Sequence, residues 1–255
     1  MASWSDPDSP EIHGHVRCRI GKSLEFIENF NKVTGKKITI THLVMKMAAD
    51  TMANYRDFTG KIVCGCYVPY ETVDISCMVN LDDGKDVSLF LIPDLNNKSL
   101  SQLHDEFDEK LKDLRHGKGY EIHKKNTGSV NFLPPSISGV LLELCGFIST
   151  VLGYDNPELG FKKHTCGSIA ITNVGAGGIE KCYVPIPSFL RVFGFLALSS
   201  IKEEPVIDNG KIAIDKVLNI MFSMDHRFGD GTRGTKALSE MQKRLENPYE
   251  FFRIE

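Results

Sequence analysis

No two of the seven cysteines in this 255-residue chain (Cys18, Cys64, Cys66, Cys77, Cys145, Cys166 and Cys182) have the two-residue gap of zinc and thiol-redox sites, and their number is odd. A disulfide framework and a clustered-thiolate metal site are therefore set aside, and the cysteines read as reduced, most of them as small core residues. Charge of one sign is also scarce. Thirty Lys and Arg stand against 33 Asp and Glu, the formal net charge is -3, and no long basic run occurs. A polyanion finds no electrostatic footprint here, so nucleic-acid binding is excluded as a working class. The start of the chain carries Asp6, Asp8 and Glu11, which fit neither the charged-then-apolar layout of a secretory signal nor an Arg-rich, acid-poor presequence. A cytoplasmic protein is expected. Internal repeats, low-complexity tracts and linkers are absent too, and 42% of residues are apolar, so the chain is read as one α/β domain over 1–255 with a sizeable core.

What is present is a series of periodic segments. Leu24, Ile27, Phe30 and Val33 recur at helical spacing ahead of Gly35 and predict an amphipathic helix from about residue 22. Thr41 is the expected N-cap of a second helix, with Leu43, Val44, Met47 and Ala48 on its apolar face. Residues 73–81 and 87–92 are β-rich, and Asp82-Asp83-Gly84-Lys85 between them is a hairpin signal. Ser99 with Gln102 makes a capping box, followed by Leu100, Leu103, Phe107, Leu111 and Leu114 at three- and four-residue steps. Pro134-Pro135 then opens an apolar stretch to Leu152 whose only charge is Glu143. As a helix rising about 1.5 Å per residue it falls short of the roughly 30 Å of a bilayer core, so a buried or partner-facing helix is expected. Membrane contact through 134–152 is the second reading. The final third predicts strands at 166–172, 192–198 and 211–224, a turn at Asp208-Asn209-Gly210, and a closing helix from about Gly231.

Where the last long strand runs out, the chain reads Ser223-Met224-Asp225-His226-Arg227-Phe228-Gly229-Asp230-Gly231. An imidazole of pKa about 6.5 suits a general base near neutrality, and a thiol of about 8.5 is a suitable proton source. Taken singly, His226 reads as a satisfied polar group at a strand end, Asp230 as a helix N-cap and Thr172 as an ordinary strand residue. The string as a whole is more specific. Asp-His-Arg-x-x-Asp-Gly fixes five positions, and a chance match is on the order of one in ten thousand. Other features carry less. His13-x-His15 reads as a solvated terminal segment, so no metal is expected. The loop with Gly175, Gly177 and Gly178 lacks the spacing of a dinucleotide fingerprint, and Cys64-Gly65-Cys66 has nothing beside it to activate a thiolate.

The string resembles the active-site motif of the dihydrolipoamide acyltransferase catalytic domains of 2-oxoacid dehydrogenase complexes, relatives of chloramphenicol acetyltransferase. Gly167-Ser168-Ile169-Ala170-Ile171-Thr172-Asn173-Val174-Gly175 is similar to that family's strand with a hydroxyl residue before Asn and a glycine turn. Val73-Asp74-Ile75-Ser76 through Gly84 is similar to its central hairpin, Lys98-Ser99-Leu100 to the start of its next helix, and 38–52 to its early helix. The resemblance runs from about residue 12 to 252. It implies a chloramphenicol acetyltransferase-like α/β fold, a mixed β-sheet flanked by α-helices with the site at a trimer interface. It also implies acyl transfer between coenzyme A and a dihydrolipoyl-like thiol or a hydroxyl, with His226 as general base. Thr172 would replace the family's oxyanion-donating serine, and Asp230 would anchor the loop through Arg17, Arg19 or Arg227. Coenzyme A enters as a substrate, and no lipoyl group is expected on this chain, so a lipoyl-bearing protein would act in trans. A homotrimer or an assembly of trimers is expected. The stretch at about 120–164 is read as an insertion that lids the acyl channel or thickens the trimer interface. A catalytically idle scaffold is the rival reading.

Overall fold

The alternation of side chains along a few long strands organises the molecule, seen in a computed structural model that describes residues 10–81, 86–117, 119, 121, 134–154, 156 and 166–254. The strands are β1 (Glu11–Arg19), β2 (Gly60–Val63), β3 (Cys66–Pro69), β4 (Ile75–Leu81), β5 (Asp86–Ile92), β6 (Ile169–Asn173), β7 (Gly194–Leu198), β8 (Lys202–Asp208) and β9 (Lys211–Asp225). The helices are α1 (Gly21–Thr34), α2 (Ile40–Asn54), α3 (Leu100–His116), α4 (Pro135–Gly146), α5 (Gly231–Glu246) and α6 (Pro248–Phe251). Seven strands form one mixed sheet in the order β1-β9-β7-β6-β4-β5, with β8 also paired to β9; β2 and β3 form a separate hairpin. The pairs β4–β6 and β6–β7 are parallel, and the remaining pairs are antiparallel.

Because side chains alternate between faces, one face of the sheet presents Ile75, Cys77, Ile169, Ile171, Leu196, Leu198, Leu218 and Ile220 to the helices. Helix α1 adds Phe26, Ile27 and Phe30 and α2 adds Leu43, Val44, Met47 and Ala48, all buried in the same core. The opposite face carries Ala170 and Phe195, which pack with Cys166 and Val192 under Val184, Ile186 and Leu190. The connection between β6 and β7 therefore covers the second face.

Several sequence signals take the forms expected of them. Gly35 ends α1 in the left-handed region at φ 72°, its N–H bonded to the Asn31 carbonyl. Ser99 Oγ accepts the Gln102 N–H at 3.2 Å, and Gln102 Oε1 accepts the Ser99 N–H at 2.9 Å, closing the capping box of α3. The stretch expected to be helical at 134–152 is α4 continued by a π-helical turn, Phe147–Val151. Among the described residues no helix is long and apolar enough to cross a membrane. The hairpin turn at 82–85 and, within the 120–164 stretch, residues 120, 122–133, 155 and 157–164 lie outside the described residues.

Two expectations are corrected. His13 and His15 are solvent-exposed as expected, but they do not sit in a loose terminal segment; they belong to β1, which pairs with β9 from Glu11 opposite Asp225 to Arg19 opposite Val217. His13 Nδ1 lies 2.9 Å from Ser223 Oγ and His15 Nδ1 lies 3.1 Å from the Tyr183 hydroxyl. Helix α2 is capped by Thr39, two residues earlier than Thr41, because the ring of His42 takes the part usually played by Glu or Gln. The Thr39 N–H donates to His42 Nδ1 at 3.3 Å, and the Thr39 hydroxyl lies 2.9 Å from the same nitrogen.

The capping role needs a neutral imidazole. Burial, reinforced by the nearby charge of His104 and opposed by Asp108, pushes the His42 pKa down to about 4 from 6.5. The folded state thus refuses a proton that the unfolded chain accepts, so stability present above pH 6.5 is lost as pH falls toward 4. Between pH 7 and 5 this group alone costs about 2 kcal/mol. His42→Gln keeps the acceptor and removes the titration, so its thermal midpoint is expected to fall less than that of the parent over this range. Parallel losses in both proteins would contradict the assignment.

Candidate active site

β9 ends at Asp225, a buried residue whose N–H donates to the Phe193 carbonyl at 2.9 Å, and the His226 N–H then donates to the Pro10 carbonyl at 3.0 Å. The chain turns there through a single 3₁₀ turn, His226–Phe228. The Asp225 carboxylate holds that turn, accepting the Arg227 N–H at 2.9 Å and the Arg227 guanidinium through Nε at 3.0 Å and Nη2 at 2.6 Å. The same carboxylate holds the Arg227 pKa above its ordinary value. Phe228 closes the underside, edge-on to Phe193 and Tyr67 at centroid separations of 5.5 and 6.2 Å, while Phe58 stacks on Phe193 at 4.6 Å. A side chain at Gly229 would meet the Phe58 ring at 2.6 Å, which explains the glycine. The turn is thus pinned from both sides, and it leaves His226 exposed to solvent.

Asp230 starts α5, its carboxylate accepting the Arg233 N–H at 2.9 Å. The expected ion pair with Arg17, Arg19 or Arg227 is not made. Arg17 pairs with Glu204, Arg19 with Asp215 and Asp208, and Arg227 with Asp225. Asp230 anchors the loop as a helix cap, and the charged anchor is Asp225. The string of residues contained this pair; the missed signal was an aspartate ending a strand two positions before the N–H it caps.

Thr172 lies half-buried on β6, between Met78 of β4 and Ala197 of β7. The following Asn173 donates to the Thr41 hydroxyl at 3.0 Å and accepts the Gly175 N–H at 3.0 Å, which shapes the glycine turn. A side chain at Gly175 would run into the Ser199 carbonyl. Register separates this hydroxyl from the histidine. Thr172 is opposite Ala197, Ala197 is opposite Met221, and His226 is five positions further along the chain. At about 3.3 Å per residue the two side chains are roughly 17 Å apart along the strands and two strands apart across them. One chain therefore brings His226 and Asp230 together and leaves Thr172 at the other end of the sheet.

The cysteines offer no activated nucleophile at the core. Burial pushes the Cys18, Cys77 and Cys166 thiols up to about 12, and Cys64 and Cys66 lie exposed at the tip of the β2–β3 hairpin. Among the described residues no group of three or more His, Cys, Asp or Glu could hold a metal ion.

Comparison with known proteins gives this geometry a context. The chain is 31% identical over 87 residues to the dihydrolipoyllysine-residue acetyltransferase component of the pyruvate dehydrogenase complex of Staphylococcus aureus; the match covers 34% of this chain and only 19% of that relative's length. The dihydrolipoamide acetyltransferase of Azotobacter vinelandii superposes with a TM-score of 0.69 at 17% identity, over 95% of this chain and 84% of that one. A chloramphenicol acetyltransferase superposes with a TM-score of 0.50 at 12% identity, over 94% and 88% of the two chains. The fold is accordingly chloramphenicol acetyltransferase-like, a mixed sheet flanked by helices. Residues 3–126 and 154–253 match the family described as 2-oxoacid dehydrogenases acyltransferase (catalytic domain), and the unmatched stretch between them contains α4. On the strength of that match the chain belongs to the 2-oxoacid dehydrogenase acyltransferase catalytic-domain family.

Proposed function

We propose that this chain carries an acyltransferase domain that moves an acyl group between coenzyme A and an acceptor thiol of dihydrolipoyl type. The observation that carries the reading is the pinned turn after β9, which holds a solvent-facing imidazole at a strand terminus inside a family-specific motif. In the forward step the acceptor sulfur attacks the thioester carbonyl of acyl-coenzyme A while His226 takes its proton. The tetrahedral oxyanion collapses by breaking the carbon–sulfur bond to coenzyme A, and the imidazolium returns the proton to the departing thiolate.

Thr172 is the donor proposed for the oxyanion, supplied by a second copy of the chain; the register that parts it from His226 within one chain supports that reading. A ring of copies, a trimer by family likeness, is the arrangement in which each His226 meets a neighbour's Thr172. The Azotobacter vinelandii enzyme supports these assignments, since the residues studied for its mechanism are a serine, a histidine and an asparagine four positions after that histidine. Here His226 is followed four positions later by Asp230, and threonine keeps the hydroxyl of serine while adding a methyl that restricts its rotamer.

Four outcomes are expected. His226→Ala should lower kcat for acyl transfer from acetyl-coenzyme A to dihydrolipoamide by about a hundred- to ten-thousandfold. Thr172→Val should cost about a hundred- to a thousandfold, with Thr172→Ser retaining most activity. An idle scaffold would show no transfer in the parent and no change in either variant. Co-refolding the two inactive variants should restore part of the activity, because some mixed sites pair an intact His226 with an intact Thr172; no recovery at all would place both groups in one protomer's site or in none. Asp225→Asn, which weakens the Arg227 clamp, should lower kcat about ten- to a hundredfold with little change in KM, since it displaces the imidazole without touching substrate. An unchanged kcat would remove Asp225 from the positioning role.

A further inference from the structure

Helix α4 is built inside out. Ser138 and Gly146, with Ser149 and Thr150 of the π-helical turn after it, are the buried positions, all small or hydroxyl-bearing. Ile137, Val140, Leu141 and Leu144 are exposed, Val140 at 72%. Their spacing of three, four and seven places them on one stripe of the helix. The orientation is enforced. A side chain at Gly146 would run into the Phe189 carbonyl, Ser188 Oγ and Arg191 (3.5 Å) both hold the Glu143 carboxylate, and Lys61 of β2 donates to the Thr150 carbonyl. Glu143 is the only charge on α4 and is used in this clamp. The outward stripe thus carries no Lys or Arg of the kind a membrane-surface helix presents to anionic headgroups.

A second apolar surface stands at the other end of the molecule. The β8–β9 hairpin projects past the end of β7, and on one of its faces Ile207 lies opposite Ile212 with Ile214 two positions on. These three side chains are 68%, 79% and 76% exposed. Helix α4 rests on Ser188–Leu190, which leads into the start of β7 beside the His226 turn, whereas the hairpin begins beyond Leu198, whose partner Asn173 follows Thr172. Each apolar surface therefore accompanies one half of the acyl-transfer site.

We infer that the apolar stripe of α4 in one copy packs against the isoleucine face of the β8–β9 hairpin in the next copy, a head-to-tail contact that closes the ring. The inference rests on the reading that His226 works with a neighbour's Thr172. On that reading the His226 end of one copy must lie on the Thr172 end of the next, and each end carries one of these exposed apolar surfaces. Such a contact is heterologous, so it joins two different patches and closes only under rotation. The two patches together offer on the order of 1,000 Å² of apolar surface, enough to form the centre of a specific interface.

Val140→Asp, Leu144→Asp and Ile212→Asp change exposed residues, so each variant should keep the parent's circular dichroism. Mass photometry and sedimentation across a concentration series are expected to show a ring for the parent. Each variant should need at least about tenfold more protein to assemble. Leu144→Glu and Ile212→Lys, each defective alone, should assemble when combined in one chain. A parent that stays monomeric at micromolar concentration, or α4 variants that assemble like the parent, would overturn the contact. So would an α4 effect seen only as lost flotation with phosphatidylcholine vesicles, which would assign the stripe to lipid. Acyl transfer measured on the same samples separates the two readings: rings without activity defeat the proposed function alone, and activity in chains whose assembly ignores both patches defeats the contact alone.

Discussion

The pairing of β9 with three other strands is the constraint from which the rest follows. Its fifteen residues bond to β8 at the start, to β7 near the end and to β1 along most of the length, so no residue in its second half can shift without breaking two ladders. A slip of one residue would carry Leu218 and Ile220 from the helix-covered face to the other, at a cost of several buried apolar side chains. The strand thus acts as a ruler. It sets the height at which Asp225 ends the sheet, and with it the position of the imidazole that follows.

A ruler places a residue along the sheet but does not aim it, and the aiming is done by short-range contacts. The Asp225 carboxylate is buried, and its lone pairs are taken by the backbone and the guanidinium of Arg227, a charge-assisted pair with little freedom to rotate. Phe228 points the opposite way into an aromatic cluster with Phe58 and Phe193. Asp230 then begins a helix whose Leu238, Met241 and Leu245 are locked in the core. Between a charged clamp on one side and a helix cap on the other, His226 has few ways to move.

Much of this was legible in the sequence where local and tertiary preferences agree. Ser99 and Gln102 cap α3 as their spacing requires, and Gly35 ends α1, because both signals act within one turn of the chain. The strands that escaped notice are those whose existence depends on a partner. β1 reads His13-Gly14-His15 at its centre, with a glycine where the Phe222 ring fills the inward position. β8 opens with Lys202-Glu203-Glu204-Pro205, and it is a strand because Asn209 and Gly210, at φ of 49° and 77°, fold it back onto β9. The aspartate responsible for the charged clamp was visible within the motif, yet choosing Asp225 over Asp230 required the geometry of the turn. The distance between Thr172 and His226 was not legible at all, since strand order and register fix it and neither is a local property.

That distance bears on the chemistry as well as on assembly. A hydroxyl stabilises an oxyanion strongly only where water is excluded, because bulk solvent both competes for the bond and screens the charge. In one copy His226 faces solvent and Thr172 is only half-buried, so neither group has the dry surroundings that the reaction needs. The core thiols are held protonated by burial, so the chain offers no internal sulfur there to carry an acyl group between two separate sites. On the proposed reading transfer is direct, with both substrates meeting at a single point. On the same reading, a neighbouring copy that covers His226 would supply the missing hydroxyl and exclude water in the same contact.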